Sequence, residues 1–146
     1  PRRPNLRSGR LPAGRLLMIS NLARPHLVAG PGVQQNVACD LPTTILDFAA
    51  TFLDFAGLDT PADMDSRSLK AILEGRSDRH RDIVISGLND WRLAYDGRYK
   101  LIHSKTLGIL FFDLERDPQE TSNLRDDPTH AGRICDLGAS LPDAFL

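Results

Sequence analysis

An alternating hydrophobic pattern across residues 82–114 constrains the fold of this chain more than any other feature. Such alternation is typical of β-strands, because successive side chains point to opposite faces of a sheet. Turn residues interrupt the pattern, notably at Asp96-Gly97, a pair that favours a type I′ hairpin turn, and at Gly108. We therefore predict a meander of four antiparallel strands with one face to bury.

Two segments before the sheet carry a helical rhythm instead. Residues 45–56 place apolar side chains at the i, i+3 and i+4 spacing of an amphipathic helix, and residues 68–74 repeat this in a shorter form. We predict that these two helices cover the sheet, which gives an α+β fold. The apolar run at 24–33 predicts a buried strand, and the tail at 128–146 has a weak helical pattern.

Charge is divided unevenly along the chain. Residues 1–39 hold six arginines and no acid, whereas residues 40–146 hold all 19 acids against 12 Lys and Arg. The arginines are spread among Pro, Gly and Leu without interleaved aromatics, which argues against a nucleic-acid-binding arm. We interpret residues 1–14 as an irregular leader before a region at 15–146, and no apolar run approaches the length of a membrane span.

The stretch "FFDLERDPQETSNL", residues 111–124, resembles a metal loop in its acid content. Asp113, Glu115 and Asp117 would fit ligand positions 1, 3 and 5 of a calcium loop. Position 6 must then be glycine but is Pro118, and position 12 is Leu124 rather than glutamate. The spacing therefore predicts a structural turn begun by Asp117-Pro118, with no metal site.

Other candidate sites are sparse. The four histidines do not share a helical or zinc-ligand spacing, and the two cysteines do not form a metal or redox motif. These residues are His26, His80, His103, His130, Cys39 and Cys135. The chain also lacks a G-x-S-x-G nucleophile motif, so the residues alone predict no complete active site.

Four segments in order carry a family resemblance: "LVAGPGV", "LDFAATFLDFAGLDTPADMDSRSLKAILEG", "WRLAYDGRYKLI" and "FFDLERDPQETSNL". Together they resemble the C-terminal part of the sulfatases of the alkaline phosphatase superfamily, most of all the arylsulfatase and choline-sulfatase-like branch. The resemblance runs from about residue 15 to residue 124. It implies the C-terminal portion of an alkaline-phosphatase-like sulfatase fold and a parent activity of sulfate ester hydrolysis.

In that family a formylglycine, made in a C/S-x-P-x-R motif, attacks the sulfate ester beside a divalent cation, usually calcium. This chain departs from the pattern. Cys39 is followed by "DLPT", Ser140 has Ala144 where the Arg should stand, and no D-H-G metal motif occurs. The resemblance therefore implies that these cofactors belong to a missing N-terminal domain, and that this chain is inactive alone.

The resemblance also implies candidate contacts to a sulfate ester substrate. Arg15 falls at the position of a sulfate-binding lysine, and Arg24 matches an arginine of the same segment. Asn89, Asp90 and Trp91 begin the second strand, on a side that approaches the substrate in some members. A turn followed by a packed tryptophan is the structural alternative for those three.

Two other functional hypotheses remain open at this stage. One is a non-catalytic module that binds an anion or a protein, and the other is a relative of phosphatases or phosphonate hydrolases, since a fold does not fix chemistry. The branch resembled implies a bacterial protein of the cytoplasm or periplasm.

Overall fold

A computed structural model describes residues 26–142. The elements are α1 (Asp47–Phe55), α2 (Lys70–Leu73), β1 (Val84–Leu88), β2 (Trp91–Tyr95), β3 (Tyr99–Ser104), β4 (Gly108–Asp113), a 3₁₀ turn (Pro128–His130) and α3 (Ala131–Ala139). The strands form one antiparallel sheet in the order β1-β2-β3-β4, which confirms the predicted α+β meander. Arg15 and Arg24 lie outside the described residues, among which no helix is long and apolar enough to cross a membrane.

The sheet buries both of its faces, where we had predicted one. Leu101 and Ile102 are neighbours in β3 and therefore point to opposite faces, yet both are fully buried. Leu101 packs with Phe111 in one core cluster, and Ile102 packs with Phe112 in another. Continuous apolar pairs in β3 and β4 are thus the signature of a sheet buried on both sides.

The helix that packs on the sheet is α3, so the predicted cover by the two earlier helices was wrong. Leu137 of α3 is fully buried in the cluster of Leu101 and Phe111, and Ile134 and Leu141 pack around it. By contrast, α1 contacts α2 more extensively than it contacts any strand. The weak helical pattern of the tail therefore corresponds to α3, a helix that packs in the core.

The β2–β3 turn is shifted by one residue from the predicted type I′ turn. Tyr95 pairs with Lys100, and the Asp96 N–H donates to the Tyr99 carbonyl, so the turn is centred on Gly97 and Arg98. Gly97 has a φ of 99°, whereas Asp96 does not adopt positive φ. The Asp96 carboxylate accepts instead from the N–H groups of Arg98 and Tyr99, which holds the turn in this register.

Helix α1 is oriented with its polar side inward. Asp47 and Thr51 are buried, whereas Phe52 is 68% exposed. The Thr51 hydroxyl accepts from the Leu69 N–H at 2.9 Å, and the Ser66 hydroxyl accepts from the Ala50 N–H at 2.9 Å. Hydrogen bonds from this polar side therefore attach α1 to the 66–70 segment.

The buried strand predicted at 24–33 is absent from the described part of this segment. Residues 26–29 pair with no strand of the described chain, and Leu27 is 99% exposed. A strand needs a partner to satisfy its backbone groups, and residues 26–142 do not provide one beside this segment. The Gly30-Pro31-Gly32 turn does form, with Gly32 at a φ of 83°.

Candidate functional site

Two turns lie side by side at one end of the sheet. The β1–β2 turn at 89–90 adjoins the β3–β4 turn at 105–107, because Trp91 pairs with Ser104 and Ser104 pairs with Gly108. We call residues 89–91 and 103–107 the hairpin end. It contains three of the five predicted substrate-binding residues.

Asn89 and Asp90 shape this end in different ways. Asn89 is exposed and has a φ of 51°, a left-handed conformation that Asn tolerates better than most residues. The Asp90 carboxylate accepts from the Thr106 hydroxyl at 2.7 Å, and its carbonyl accepts from the Lys105 N–H at 2.9 Å. Asp90 thus clamps one turn to the other, while the Asn89 side chain remains accessible.

Trp91 belongs largely to the core. It is half-buried and packs against the cluster that contains Leu93 and Ile102. Its carbonyl accepts from the Arg92 guanidinium at 2.8 Å. For Asp90 and Trp91, the structure therefore agrees with the structural alternative, a turn followed by a packed tryptophan.

Basic residues that sequence reasoning did not single out as a group lie in or next to the hairpin end. Arg92 pairs across the strands with His103, and the exposed Lys105 follows two residues later. The signal for this grouping is the register of β2 on β3, which is set by the shifted turn at Gly97. With Asn89 they offer donors suited to an anionic ligand.

Hydrogen-bond donors of the protein hold the carboxylates of the acidic stretch at 113–120. The Arg98 guanidinium donates to both oxygens of the buried Asp113, at 3.1 and 2.7 Å, and reaches Glu115 at 2.7 Å. This hydrogen bonding holds the pKa of Asp113 below its usual value. The Asp117 carboxylate accepts from the N–H groups of Thr121 and Ser122, which closes the turn.

Glu120 ends this stretch in a buried ion pair. Its carboxylate accepts from the Lys100 ammonium at 2.7 and 2.9 Å, and the Lys100 side chain is fully buried. Burial lowers the pKa of Lys100, and the bond to Glu120 opposes that effect. Glu120 makes this contact from a left-handed backbone with a φ of 55°.

Asn123 then fastens the segment along the outer edge of β4. Its side-chain oxygen accepts from the Phe111 N–H at 2.9 Å, and its amide donates to the Ile109 carbonyl at 3.4 Å. The Leu124 N–H donates to the Phe111 carbonyl at 2.8 Å. The segment therefore satisfies backbone groups that an open sheet edge would leave unpaired.

These contacts do not fit the cation that the family resemblance implies. Within residues 26–142, no group of three or more His, Cys, Asp or Glu side chains is placed to hold a metal ion. Asp113, Asp117 and Glu120 direct their oxygens at Arg98, backbone N–H groups and Lys100. Cys39 and Cys135 are exposed free thiols outside this cluster. No catalytic step can be derived from a metal at these residues.

Among the described residues, the most densely bonded acid is Asp47, in the first turn of α1. It is fully buried, and its carboxylate accepts from the Arg81 guanidinium, from His80 Nε2 at 2.9 Å, and from the N–H groups of Thr44 and Arg67. Burial alone would raise its pKa, but these hydrogen bonds outweigh that effect and hold the pKa well below its usual value. Asp47 thus anchors the start of α1 to Arg67 and to the adjacent residues His80 and Arg81.

A comparison with protein families identifies the class that this fold and these turns define. Residues 14–144 match the family described as N-sulphoglucosamine sulphohydrolase, C-terminal. The chain therefore belongs to this family of sulfatase C-terminal domains, as the resemblance had predicted.

Individual relatives agree with this placement. The chain is 29% identical over 134 residues to the Delta 4,5-hexuronate-2-O-sulfatase of Bacteroides thetaiotaomicron, covering 82% of this chain and 27% of that protein. It is 36% identical over 112 residues to the multifunctional alkaline phosphatase superfamily protein PehA of Trinickia caryophylli, covering 62% of this chain and 22% of that protein.

A solved structure of a 2-O GAG sulfatase matches with a TM-score of 0.69 and 29% identity, covering 76% of this chain and 27% of that chain. The chain thus spans about a quarter of the length of the proteins it matches. This confirms the C-terminal sulfatase fold and places the matched region within much longer enzymes.

Proposed function

We propose that this region is the C-terminal part of a sulfate ester hydrolase. The family match across residues 14–144 is the observation that carries this proposal. The 29% identity to a hexuronate-2-O-sulfatase and to a 2-O GAG sulfatase of known structure supports a sulfated sugar as the substrate class.

In this proposal the region is a scaffold that completes the enzyme and does not hydrolyse sulfate esters by itself. The chain has no C/S-x-P-x-R nucleophile motif and no D-H-G metal motif. The formylglycine and the divalent cation therefore belong to an N-terminal catalytic domain. Arg15 and Arg24 would then contribute positive charge near the sulfate group.

The hairpin end is the part of the described chain that we assign to the substrate. Asn89 and Lys105 are exposed there, and His103 and Arg92 lie on adjacent strands behind them. Donors and cations of this kind suit the hydroxyl groups and sulfates of a sugar chain. Asp90 and Trp91 would act indirectly, by fixing the two turns.

A grafted enzyme tests the proposal. Residues 14–144 would replace the matching C-terminal segment of the Bacteroides sulfatase, with the parent enzyme as control. We expect the graft to release sulfate from a 2-O-sulfated unsaturated uronic acid. A soluble, cooperatively folded graft that releases no sulfate would contradict it.

A second candidate is hydrolysis of phosphate or phosphonate esters, because the chain is 36% identical to PehA, which is named as a multifunctional protein of the alkaline phosphatase superfamily. A second graft decides between the two candidates. In it, residues 14–144 replace the matching segment of PehA, and the product is assayed with an aryl phosphonate monoester and with an aryl sulfate. The second candidate is favoured only if the phosphonate is cleaved faster.

A further inference from the structure

One rung of the sheet carries two basic residues side by side. The rung consists of Gly87, Arg92, His103 and Ile109, paired in that order across β1 to β4. Residues that pair directly across neighbouring strands project from the same face of a sheet. Ile109 packs against the cluster that contains Leu137 of α3. Arg92 and His103 are therefore neighbours on the face that carries α3.

Gly87 allows the Arg92 side chain to lie across β1. A Cβ atom at Gly87 would stand 2.6 Å from Nη1 of Arg92 and 2.7 Å from its Cδ, so a side chain there would displace Arg92. The same guanidinium donates to the Trp91 carbonyl at 2.8 Å. The positive charge of Arg92 is thus held against the surface of the sheet, beside His103.

Two further cations lie at the same end of the sheet. Lys105 is exposed in the β3–β4 turn. Arg125 follows the segment that covers the edge of β4, and its guanidinium lies 3.5 Å from the place that a Cβ of Gly108 would take. Since strands lie about 4.8 Å apart, these cations extend over about 10 Å from β2 to the edge of β4. We call the following residues the basic row: Arg92, His103, Lys105 and Arg125.

The acids beside the basic row leave it positively charged. The Asp90 carboxylate accepts from the Thr106 hydroxyl at 2.7 Å. Asp126 is 91% exposed and lies 3.1 Å from Nε of Arg125, and a surface ion pair of this kind contributes little. Three permanent cations thus face two acids. Within residues 26–142, neither His103 nor Lys105 forms a salt bridge.

The shape of the basic row suits an extended ligand that carries several anionic groups. A single sulfate is too small to reach cations spread over about 10 Å, whereas a sulfated sugar chain presents its sulfates in line. The exposed Asn89 amide in the adjoining turn can bond sugar hydroxyl groups. Single-stranded nucleic acid fits less well, because Trp91 packs in the core cluster of the other face and does not offer its ring for base stacking.

We propose that the basic row binds sulfate groups of a sugar chain other than the sulfate ester that is cleaved. The inference rests on the proposed function, which supplies a sulfated sugar as the substrate class, and it deepens that function. The substrate is then a chain of several sugar units. Lys105 and Arg125 hold the sulfates of the units next to the one hydrolysed, and the charge of Arg92 adds to the attraction.

Binding to the intact 146-residue chain tests the proposal without a catalytic domain. The probe is a heparin-derived octasaccharide, titrated by calorimetry at low ionic strength. We expect saturable binding with a Kd below about 0.1 mM, which weakens as salt is added. The same octasaccharide stripped of its sulfates should bind at least about tenfold more weakly. This comparison separates recognition of sulfates from recognition of the uronate carboxylates.

Neutral substitutions locate the binding surface. Lys105→Gln and Arg125→Gln should each weaken binding about fivefold, as the loss of one exposed charge contact does. The charge-preserving variants Lys105→Arg and Arg125→Lys should keep most of the affinity. Arg116→Gln is the matched control, because Arg116 is an 80%-exposed arginine beside Asp113, at the opposite end of β4. It should leave the affinity unchanged, and thermal melts should show that all variants fold.

Four results would overturn the proposal. They are the absence of saturable binding at about 1 mM probe, equal affinity for the desulfated octasaccharide, equally tight binding of an oligothymidylate of the same charge, and a loss for Arg116→Gln as large as that for Arg125→Gln.

This binding test and the test of the proposed function fail separately. Sulfate release by the Bacteroides graft, together with no octasaccharide binding by the 146-residue chain, supports the proposed function and contradicts the basic row. Octasaccharide binding that depends on Lys105 and Arg125, together with a folded but inactive graft, supports the basic row and contradicts the sulfatase proposal.

Discussion

The Lys100 ammonium lies 2.7 Å from the Glu120 carboxylate, with both side chains buried. This pair joins the start of β3 to the turn that follows β4, and the two residues are 20 positions apart. A buried cation is tolerated only when a partner compensates its lost hydration. The acid-rich segment therefore contributes its last glutamate to the core.

Replacing Glu120 with glutamine should destabilise the fold by about 3 kcal/mol, because it leaves the Lys100 charge buried without its counter-charge. Urea unfolding followed by tryptophan fluorescence measures this. The double variant Lys100→Met/Glu120→Gln should recover much of the loss, since it buries no unpaired charge. A double variant no more stable than Glu120→Gln would show that the ion pair is not the source of the effect.

Substituting Asp47 with asparagine should cost about 3 kcal/mol of unfolding free energy, because Arg81 and His80 lose a buried counter-charge. Chemical denaturation at pH 7 provides the measurement. Asp63→Asn is a control in an exposed loop, and it should change stability little. Equal effects of the two substitutions would remove Asp47 from its anchoring role.

Stability should also fall in acid through Asp47. Its folded pKa lies below its unfolded value, so the stabilisation is complete above the unfolded pKa and is lost as the pH falls toward the folded one. The wild-type unfolding free energy should therefore decline below about pH 4. Asp47→Asn should show a shallower decline, because the contribution of Asp47 is gone. Some decline should remain, because Asp113 and Asp117 retain their own lowered pKa values. Identical slopes in the two proteins would contradict the pKa assignment.

Asn123→Ala should loosen the covered edge of β4, because the Phe111 N–H and the Ile109 carbonyl lose their side-chain partner. We expect a loss of about 1 kcal/mol and faster hydrogen exchange at the Phe111 amide. Ser122→Ala is the neighbouring control, since Ser122 is exposed and bonds to Asp117 through its backbone N–H. Unchanged exchange at Phe111 would argue against the edge role.

Asn89→Gly tests the hairpin end without disturbing its backbone. Glycine adopts the positive φ of this position readily, so the turn should persist while the side chain is removed. In the grafted enzyme we expect KM to rise up to about tenfold, equivalent to about 1.4 kcal/mol of lost substrate binding, with kcat and Tm unchanged. An unchanged KM would remove Asn89 from the substrate site.

The sequence predicted the sheet well because its signals are local. The period-two alternation lies within the strands themselves, and the turn residues around Gly97 and Gly108 lie at their ends. The family motifs include the same residues. Which face a residue occupies is less local. Lys100 reads as an exposed strand position until Glu120, 20 residues later, is brought against it.

The orientation of α1 was not predictable for the same reason. Its apolar rhythm correctly predicts a helix, but burial of the polar side depends on Ser66, Leu69 and Arg81, which reach it only in the fold. The strand predicted at 24–33 does not form in the described part of that segment, because a strand needs a partner for its backbone groups and residues 26–142 provide none there.

The most direct test of the account is sulfate release by the 146-residue chain itself. An aryl sulfate would be incubated with the purified chain and calcium, with a no-protein blank and a chelator control. The account predicts no release above the blank, because the acids of the 113–120 stretch serve Arg98, Lys100 and backbone N–H groups. Calcium-dependent release that scales with protein concentration and is abolished by Asp113→Asn would contradict it.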